Sequence, residues 1–175
     1  MIRWVLVLVE VVITLIYLPR SPAFATEAPG NSPTARVSKV YLDSNKNVHV
    51  VENGRDIKIT SEGKFSDPKL SPDSQTVGWL VTSHIEVEKR DSVTTIDVEE
   101  ELIIYRNGQV VRSIKPGGFI RSWGFWQKGE QVAIYSGALH FAGFYVLYDV
   151  GSGREIARGN DPITEDSPNW MRSLE

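Results

Sequence analysis

Residues 52–81 read ENGRDIKITSEGKFSDPKLSPDSQTVGWLV, and the same pattern recurs further along the chain. Residues 106–136 read RNGQVVRSIKPGGFIRSWGFWQKGEQVAIYS, in which Asn107-Gly108 aligns with Asn53-Gly54 at an offset of 54 residues. A third, truncated copy begins at Tyr148 and stops soon after the DSPNW stretch at 166–170. The chain is therefore built from repeats.

The repeats have the pattern of antiparallel strands. Asn-Gly between alternating segments is a strong hairpin signal, because a type I′ turn needs positive φ at both central positions. Between Val77 and Val87, five apolar residues, at 77, 79, 81, 85 and 87, keep odd-numbered positions, which places them on one face of a strand. We place Pro68 in a connection and predict no helix, because no segment has a convincing 3.6-residue apolar period. Strands are predicted at 37–43, 48–52, 55–60, 77–87, 94–105, 110–114, 119–126, 131–135, 144–150 and 154–158.

The basic repeat is about 44 residues long. That is the spacing from the second Asn-Gly turn to Gly151-Ser152-Gly153. The first copy is longer because its hairpin at 83–99 exceeds its counterpart at 136–143 by about ten residues. A period of roughly 40–50 residues is typical of four-stranded propeller blades.

Residues 67–79, DPKLSPDSQTVGW, resemble the repeat motif of the WD40-like PD40 family, in which Ser-Pro-Asp-Gly is followed by a β-branched and an aromatic residue. Residues 144–157, FYVLYDVGSGREIA, resemble the third and fourth strands of such a blade, and residues 166–170 resemble the start of another. The resemblance covers roughly residues 40–171 and is degraded in the second copy, where WQKG replaces the turn. This resemblance implies propeller blades like those of TolB-type proteins and of prolyl oligopeptidases.

The expected fold is therefore all-β, with antiparallel four-stranded propeller-blade-like repeats that supply about three blades. A strand begun at Pro168 would join the opening three strands and complete a shared blade. Propellers typically close with four to eight blades, so three arrangements stay open. The first is an open stack, the second a head-to-tail homodimer that completes a six-bladed ring, and the third a fragment of a longer propeller.

The N-terminal segment has the pattern of a secretory signal. Arg3 precedes an apolar run from Trp4 to Leu18, and Ala23-Phe24-Ala25 predicts cleavage between Ala25 and Thr26. The rival interpretation is an uncleaved membrane anchor. Fifteen helical residues span only ~22 Å of a hydrocarbon core about 30 Å thick. The predicted organisation is a signal peptide at 1–25, a flexible leader at 26–36 and the repeat domain at 37–175.

The composition favours one cellular compartment and excludes some classes of partner. The chain has no cysteine, which excludes disulfides, thiolate metal sites, a thiol nucleophile and a lipid-modified cysteine. The absence of disulfides from an exported domain of this size favours the interpretation that the protein is bacterial and periplasmic or secreted. Residues 26–175 carry 17 basic and 21 acidic side chains with no basic block. We therefore expect no nucleic-acid partner, and membrane contact only through an uncleaved signal segment.

No catalytic, cofactor or metal motif stands out. His49, His84 and His140 lack metal-ligand spacing and are interpreted as solvated strand residues. The stretch from Asp43 to Gly54 imitates the start of a calcium loop but lacks the Gly and the final Glu, which favours a hairpin turn. The nucleophile motif G-x-S-x-G does not occur. We expect a non-enzymatic protein without cofactors.

The expected function is a binding or scaffold module of the bacterial envelope that contacts a protein or peptide through loops and sheet edges. Aromatic and apolar residues near strand starts and the 136–143 loop are its candidate binding residues. They are Trp123, Trp126, Leu139, His140, Phe141 and Trp170. One alternative is an envelope hydrolase that acts on a saccharide or peptide with carboxylates such as Asp73, Asp97 or Glu99. The acidic run 97–101 is interpreted first as a solvated hairpin face. The other alternative is a degenerate propeller fragment without stable function.

Overall fold

A computed structural model describes residues 36–90 and 92–174 and shows an all-β protein made of antiparallel sheets. The predicted signal peptide, and all of the predicted leader except Arg36, lie outside these residues. The first sheet contains β1 (Val37–Leu42), β2 (Val48–Glu52) and β3 (Arg55–Lys58). The middle sheet contains β4 (Phe65–Leu70), β5 (Thr76–Lys89), β6 (Ser92–Arg106) and β7 (Gln109–Ile114). The third sheet contains β8 (Phe119–Trp126), β9 (Gln131–Gly137), β10 (Phe144–Asp149) and β11 (Glu155–Asn160).

In every sheet the strand order follows the chain, so neighbouring strands are joined by turns rather than crossovers. The two Asn-Gly turns have positive φ at both positions, with values of 50° and 77° at Asn53 and Gly54, and 51° and 80° at Asn107 and Gly108. These are the backbone angles that the Asn-Gly dipeptide predicts. The all-β, antiparallel part of the prediction is confirmed.

One strand lies where the sequence indicates a connection. β4 includes Pro68, and the pairing of β4 with β5 shifts register between Ser66 and Lys69. Proline cannot donate to a ladder and is accommodated at bulges and on edge strands. β4 is an edge strand of the middle sheet, so Pro68 is compatible with it.

The hairpin of β5 and β6 is much longer than its neighbours. β4 begins at Phe65, opposite Val81, and β7 ends at Ile114, opposite Leu102. The pairing of β5 with β6 continues to the end of the hairpin, so residues 82–89 and 92–99 form a two-stranded ribbon. We call this segment the ribbon.

Two hydrophobic clusters join the three sheets. The first lies between the first and middle sheets and includes Val48, Val50, Val77, Trp79 and Tyr105. The second lies between the middle and third sheets and includes Leu102, Ile104, Trp123, Val132 and Ile134. Successive residues of a strand point to opposite faces, so the middle sheet contributes side chains to both clusters and is covered on both sides.

The C-terminal segment corrects two expectations. The predicted strand beginning at Pro168 is wrong, because this position begins the short helix α1 (Asn169–Arg172). The expectation of no helix is wrong for the same reason, and a 3-10 turn also occupies Gln127–Gly129. Trp170 and Met171 are both buried against Ala133 and Leu147 of the third sheet. A strand would send two consecutive residues to opposite faces, whereas a helical turn buries both.

The part of the chain described here forms three separate sheets and no closed barrel. Within residues 36–90 and 92–174, no helix has the length and apolar character needed to cross a bilayer.

Candidate functional site

A groove follows β6 where β7 stops. Beyond Ile114 the chain turns away through Pro116-Gly117-Gly118 and enters β8, which leaves space beside the base of the ribbon. One part of this space has a volume of about 370 Å³. It is lined by Asp97, Val98, Glu99, Phe119, Ile120, Arg121 and Leu139. A second hollow of similar volume is lined by Glu100, Lys115, Gly117 and Gly118. We call the two together the β6 groove.

The backbone of β6 presents hydrogen-bonding groups to this groove. The Thr82 amide donates to the Lys64 carbonyl oxygen at 2.8 Å and therefore points away from β6. Thr82 lies opposite Glu99. Along an antiparallel pair of strands, facing residues that exchange backbone hydrogen bonds alternate with facing residues whose backbone groups point away from the partner strand. The backbone groups of Glu99, Asp97 and Thr95 therefore point away from β5. Within the described ranges, no strand pairs with that side of β6 before Leu102.

Arg121 holds the loop that forms the other wall. Its guanidinium donates to the Phe141 carbonyl oxygen at 2.6 Å, to the Ala138 carbonyl oxygen, and to the Tyr135 hydroxyl at 3.0 Å. The Tyr135 hydroxyl donates in turn to Asp161 Oδ2 at 3.1 Å. Arginine suits this role because its planar fork carries several fixed donors. Residues 138–142, which we call the anchored loop, are thereby tied to β8.

Three predicted binding residues lie together on the anchored loop. Phe141 is 75% exposed, Leu139 is 38% exposed, and His140 between them is also exposed. Leu139 lines the groove and Phe141 follows two residues later on the same loop, and exposed apolar side chains grouped in this way often mark contact sites.

The three predicted tryptophans are not part of this patch. Trp123 is 1% exposed and lies between the middle and third sheets. Trp170 is 7% exposed and packs with Met171 on the far face of the third sheet, where Trp126 is half-buried beside it. The structure thus separates Leu139, His140 and Phe141, which can reach a ligand, from tryptophans that contribute to the core.

The groove wall formed by β6 is acidic. Asp97 Oδ1 accepts from His84 Nδ1 at 2.6 Å, and Glu99 Oε1 accepts from Ser66 Oγ at 3.1 Å. Neither carboxylate has a Lys or Arg partner within 4 Å among the side chains that the structure describes. Asp73, the third candidate carboxylate, lies in the β4–β5 turn, where it accepts from the Gln75 amide at 3.1 Å and from Ser71.

A separate cluster of titratable groups covers the outer face of the first sheet. His49 Nδ1 lies 2.9 Å from Asp56 Oδ1, and His49 Nε2 lies 3.4 Å from Asp43 Oδ2. The Tyr41 hydroxyl donates to Asp56, and the Tyr41 and His49 rings stack at 5.1 Å. Sequence reasoning missed this cluster because it depends on register, which sets Tyr41 opposite His49 and His49 opposite Lys58.

This cluster does not have the properties of a hydrolytic or metal site. The Asn47 amide, donating to Asp43 Oδ1 at 2.8 Å, does most to lower the pKa of Asp43 to about 2. The Tyr41 hydroxyl and then His49 lower the pKa of Asp56. A general acid needs a raised pKa instead. In the described part of the chain, no three His, Cys, Asp or Glu side chains are placed to hold a metal ion.

No protein-family model matches this chain, and no curated protein matches it in sequence.

Proposed function

We propose that this protein is a non-catalytic binding module of the bacterial envelope, built from PD40-like blades, which holds an extended protein segment in the β6 groove. The observation that carries the proposal is the uncovered edge of β6, whose outward backbone groups lie beside an anchored loop with exposed Leu139 and Phe141. Extended peptides bind other proteins by adding a strand to such edges, with side-chain pockets supplying specificity.

Two further features support the blade and compartment parts of the proposal. Three antiparallel sheets of three or four strands follow one another along the chain, which is compatible with successive blades. The signal-like residues 1–25 and the absence of cysteine fit an exported bacterial protein.

The groove also holds two carboxylates, Asp97 and Glu99, which is the arrangement that the hydrolase alternative needs. A glycosidase-type pair divides its work between an acid with a raised pKa and an ionised partner. Four described carboxyl groups have a clearly shifted pKa, and in each of them the pKa is lowered. They are Asp43, Asp56, Asp149 and Glu155. None of these four carboxyl groups lines the β6 groove, so they do not support a hydrolase site there.

A peptide-display selection tests the proposal. Random dodecapeptides would be selected against the purified protein, and the enriched peptides would be synthesised and titrated by fluorescence anisotropy. We expect Leu139→Asn to weaken binding by about tenfold, since it removes an apolar contact at the groove wall. Val110→Asn is the matched control, because Val110 is an exposed apolar residue of β7 outside the groove lining. Equal affinity for the two variants, or no enriched peptide, would contradict the proposal.

A further inference from the structure

We infer that the segment held in the β6 groove is a short extended peptide in which basic and apolar side chains alternate. This inference rests on the proposed function, because it specifies the chemistry of the segment that the groove would hold. Three features of β6 lead to it: the direction of its backbone groups, the alternation of its side chains and the charge of its acidic face.

The backbone sets the mode of binding. The outward amides and carbonyls of Thr95, Asp97 and Glu99 are two residues apart, which is the repeat with which a strand presents hydrogen bonds to a neighbour. β7 provides that neighbour only up to Ile114, opposite Leu102. An added strand would continue the sheet from the point where β7 leaves it.

The side chains of β6 set the pattern of the peptide. Asp97 and Glu99 share one face of the strand with His84 of β5, while Ile96 and Val98 share the other face with Ile85. Side chains of adjacent strands that point to the same face lie side by side. Alternate residues of the added peptide would therefore lie beside the two carboxylates, and the residues between them beside the apolar side chains.

The charge balance favours cations on the acidic face. The Arg121 guanidinium is already engaged by two carbonyl oxygens and the Tyr135 hydroxyl, and Lys115 Nζ lies 3.6 Å from Glu101 Oε2. Asp97 and Glu99 have only His84 and Ser66 as side-chain partners among the described residues. Glu86 and Glu88 extend the same face toward the tip of the ribbon. Lysine or arginine side chains would complement this face, and acidic side chains would be repelled.

The length of the unpaired stretch of β6 sets the size of the peptide. The outward groups span residues 95–99 of β6, which at ~3.4 Å per residue corresponds to about 14 Å. A segment of about five residues covers that distance.

Synthetic peptides with the sequences KVKVK and EVEVE, each labelled with fluorescein at its N-terminus and amidated at its C-terminus, test the inference against the purified protein by fluorescence anisotropy. We expect KVKVK to bind at least tenfold more tightly than EVEVE, and its affinity to fall as salt is raised from 50 to 500 mM. The double variant Asp97→Asn/Glu99→Gln should weaken KVKVK by about tenfold. The double variant Glu165→Gln/Asp166→Asn, which changes exposed carboxyls after β11, should leave it unchanged.

Backbone methylation separates strand addition from simple charge attraction. KVKVK would be N-methylated either at its lysines or at its valines, because only alternate amides of a strand point to its neighbour. One methylated form should lose binding and the other should retain it. Equal behaviour of the two forms would overturn strand addition, and equal affinity for KVKVK and EVEVE would overturn the charge preference. Either result leaves the proposed binding function standing if peptides still bind. No binding by KVKVK or EVEVE at millimolar concentration would overturn this inference, whereas the peptide-display selection decides the proposed function.

Discussion

The indole ring of Trp123 lies directly against the backbone of Gly78, so that a Cβ at position 78 would come within 2.6 Å of Trp123 Cη2 and 2.9 Å of Cζ3. Gly78 belongs to β5 and Trp123 to β8, so this contact joins the middle and third sheets. Trp123 is 1% exposed, and Lys69 Nζ, 4.9 Å from its ring centroid, also donates to its carbonyl oxygen at 2.5 Å. The ring is therefore confined, and the glycine gives it room.

Gly78→Ala should destabilise the protein by about 1–3 kcal/mol, because an added methyl group overpacks a closely packed interface. Urea unfolding followed by circular dichroism would measure the change as a lower midpoint at constant slope. Gly124→Ala is the control, since a Cβ at 124 would meet only Leu174 Cδ2 at 3.4 Å, an ordinary contact. A midpoint for Gly78→Ala equal to that of the wild type would show that the two sheets can shift apart freely.

Trp170→Ala should lower the free energy of unfolding by about 3 kcal/mol, the order expected when a buried aromatic side chain is deleted. Trp170 covers the third sheet together with Met171, and it is 7% exposed. The same unfolding experiment on Phe141→Ala should show a change within about 0.5 kcal/mol, because Phe141 is 75% exposed. Similar losses for the two variants would contradict the assignment of Trp170 to the core and Phe141 to the surface.

Acid should weaken the first sheet through Asp43. Its pKa is about 2 in the folded protein against an ordinary value of 3.8, chiefly because the Asn47 amide donates to the ionised form. A lowered carboxyl pKa stabilises the fold above the ordinary value, and this stabilisation is lost as the pH falls through the folded value. Between pH 4 and pH 2, the melting temperature of Asp43→Asn should therefore fall less than that of the wild type.

Thermal unfolding by circular dichroism at half-unit pH steps would measure this difference. Asp166→Asn, which changes an exposed carboxyl before α1, provides the control and should follow the wild-type curve. A parallel decline of Asp43→Asn and wild type below pH 4 would contradict a role for the Asp43 carboxylate.

Arg121→Lys should loosen the anchored loop while leaving the sheets intact. Lysine retains the charge but cannot direct a fork of donors at the Ala138 and Phe141 carbonyl oxygens at once. Hydrogen exchange measured by mass spectrometry should show faster exchange of peptides covering 138–142, with unchanged exchange in β9 and β10. Arg154→Lys serves as the control, because Arg154 is exposed in the turn before β11. Unchanged exchange in the loop would show that Arg121 does not restrain it.

The purified protein should be a monomer. A ring-closing dimer would need the outer faces of the first and third sheets to pack together. The first of these faces carries Tyr41, His49 and Asp56, and Trp170 and Met171 already cover the other. Size-exclusion chromatography with light scattering over a hundredfold range of concentration would measure the mass. A discrete dimer at all concentrations would instead support the head-to-tail ring that the repeat count leaves open.

The local features of this protein can be predicted from its sequence. Strand positions and Asn-Gly turns depend on alternation and on the backbone preferences of two residues, and both are properties of neighbouring positions. The exposed loop around Leu139 and Phe141 and the acidic run at 97–101 were recognised for the same reason. The chain order of the strands within each sheet followed from short turns.

Which faces of the sheets are covered depends on tertiary packing. Trp123 and Phe141 have similar apolar chemistry, yet Trp123 is enclosed between two sheets and Phe141 is exposed, because burial depends on what packs against each strand. His49 gained two carboxylate neighbours through cross-strand register, which spacing along the chain does not specify. The C-terminal residues became a helical cover rather than a strand, since the third sheet offered an apolar face that could bury Trp170 and Met171 together.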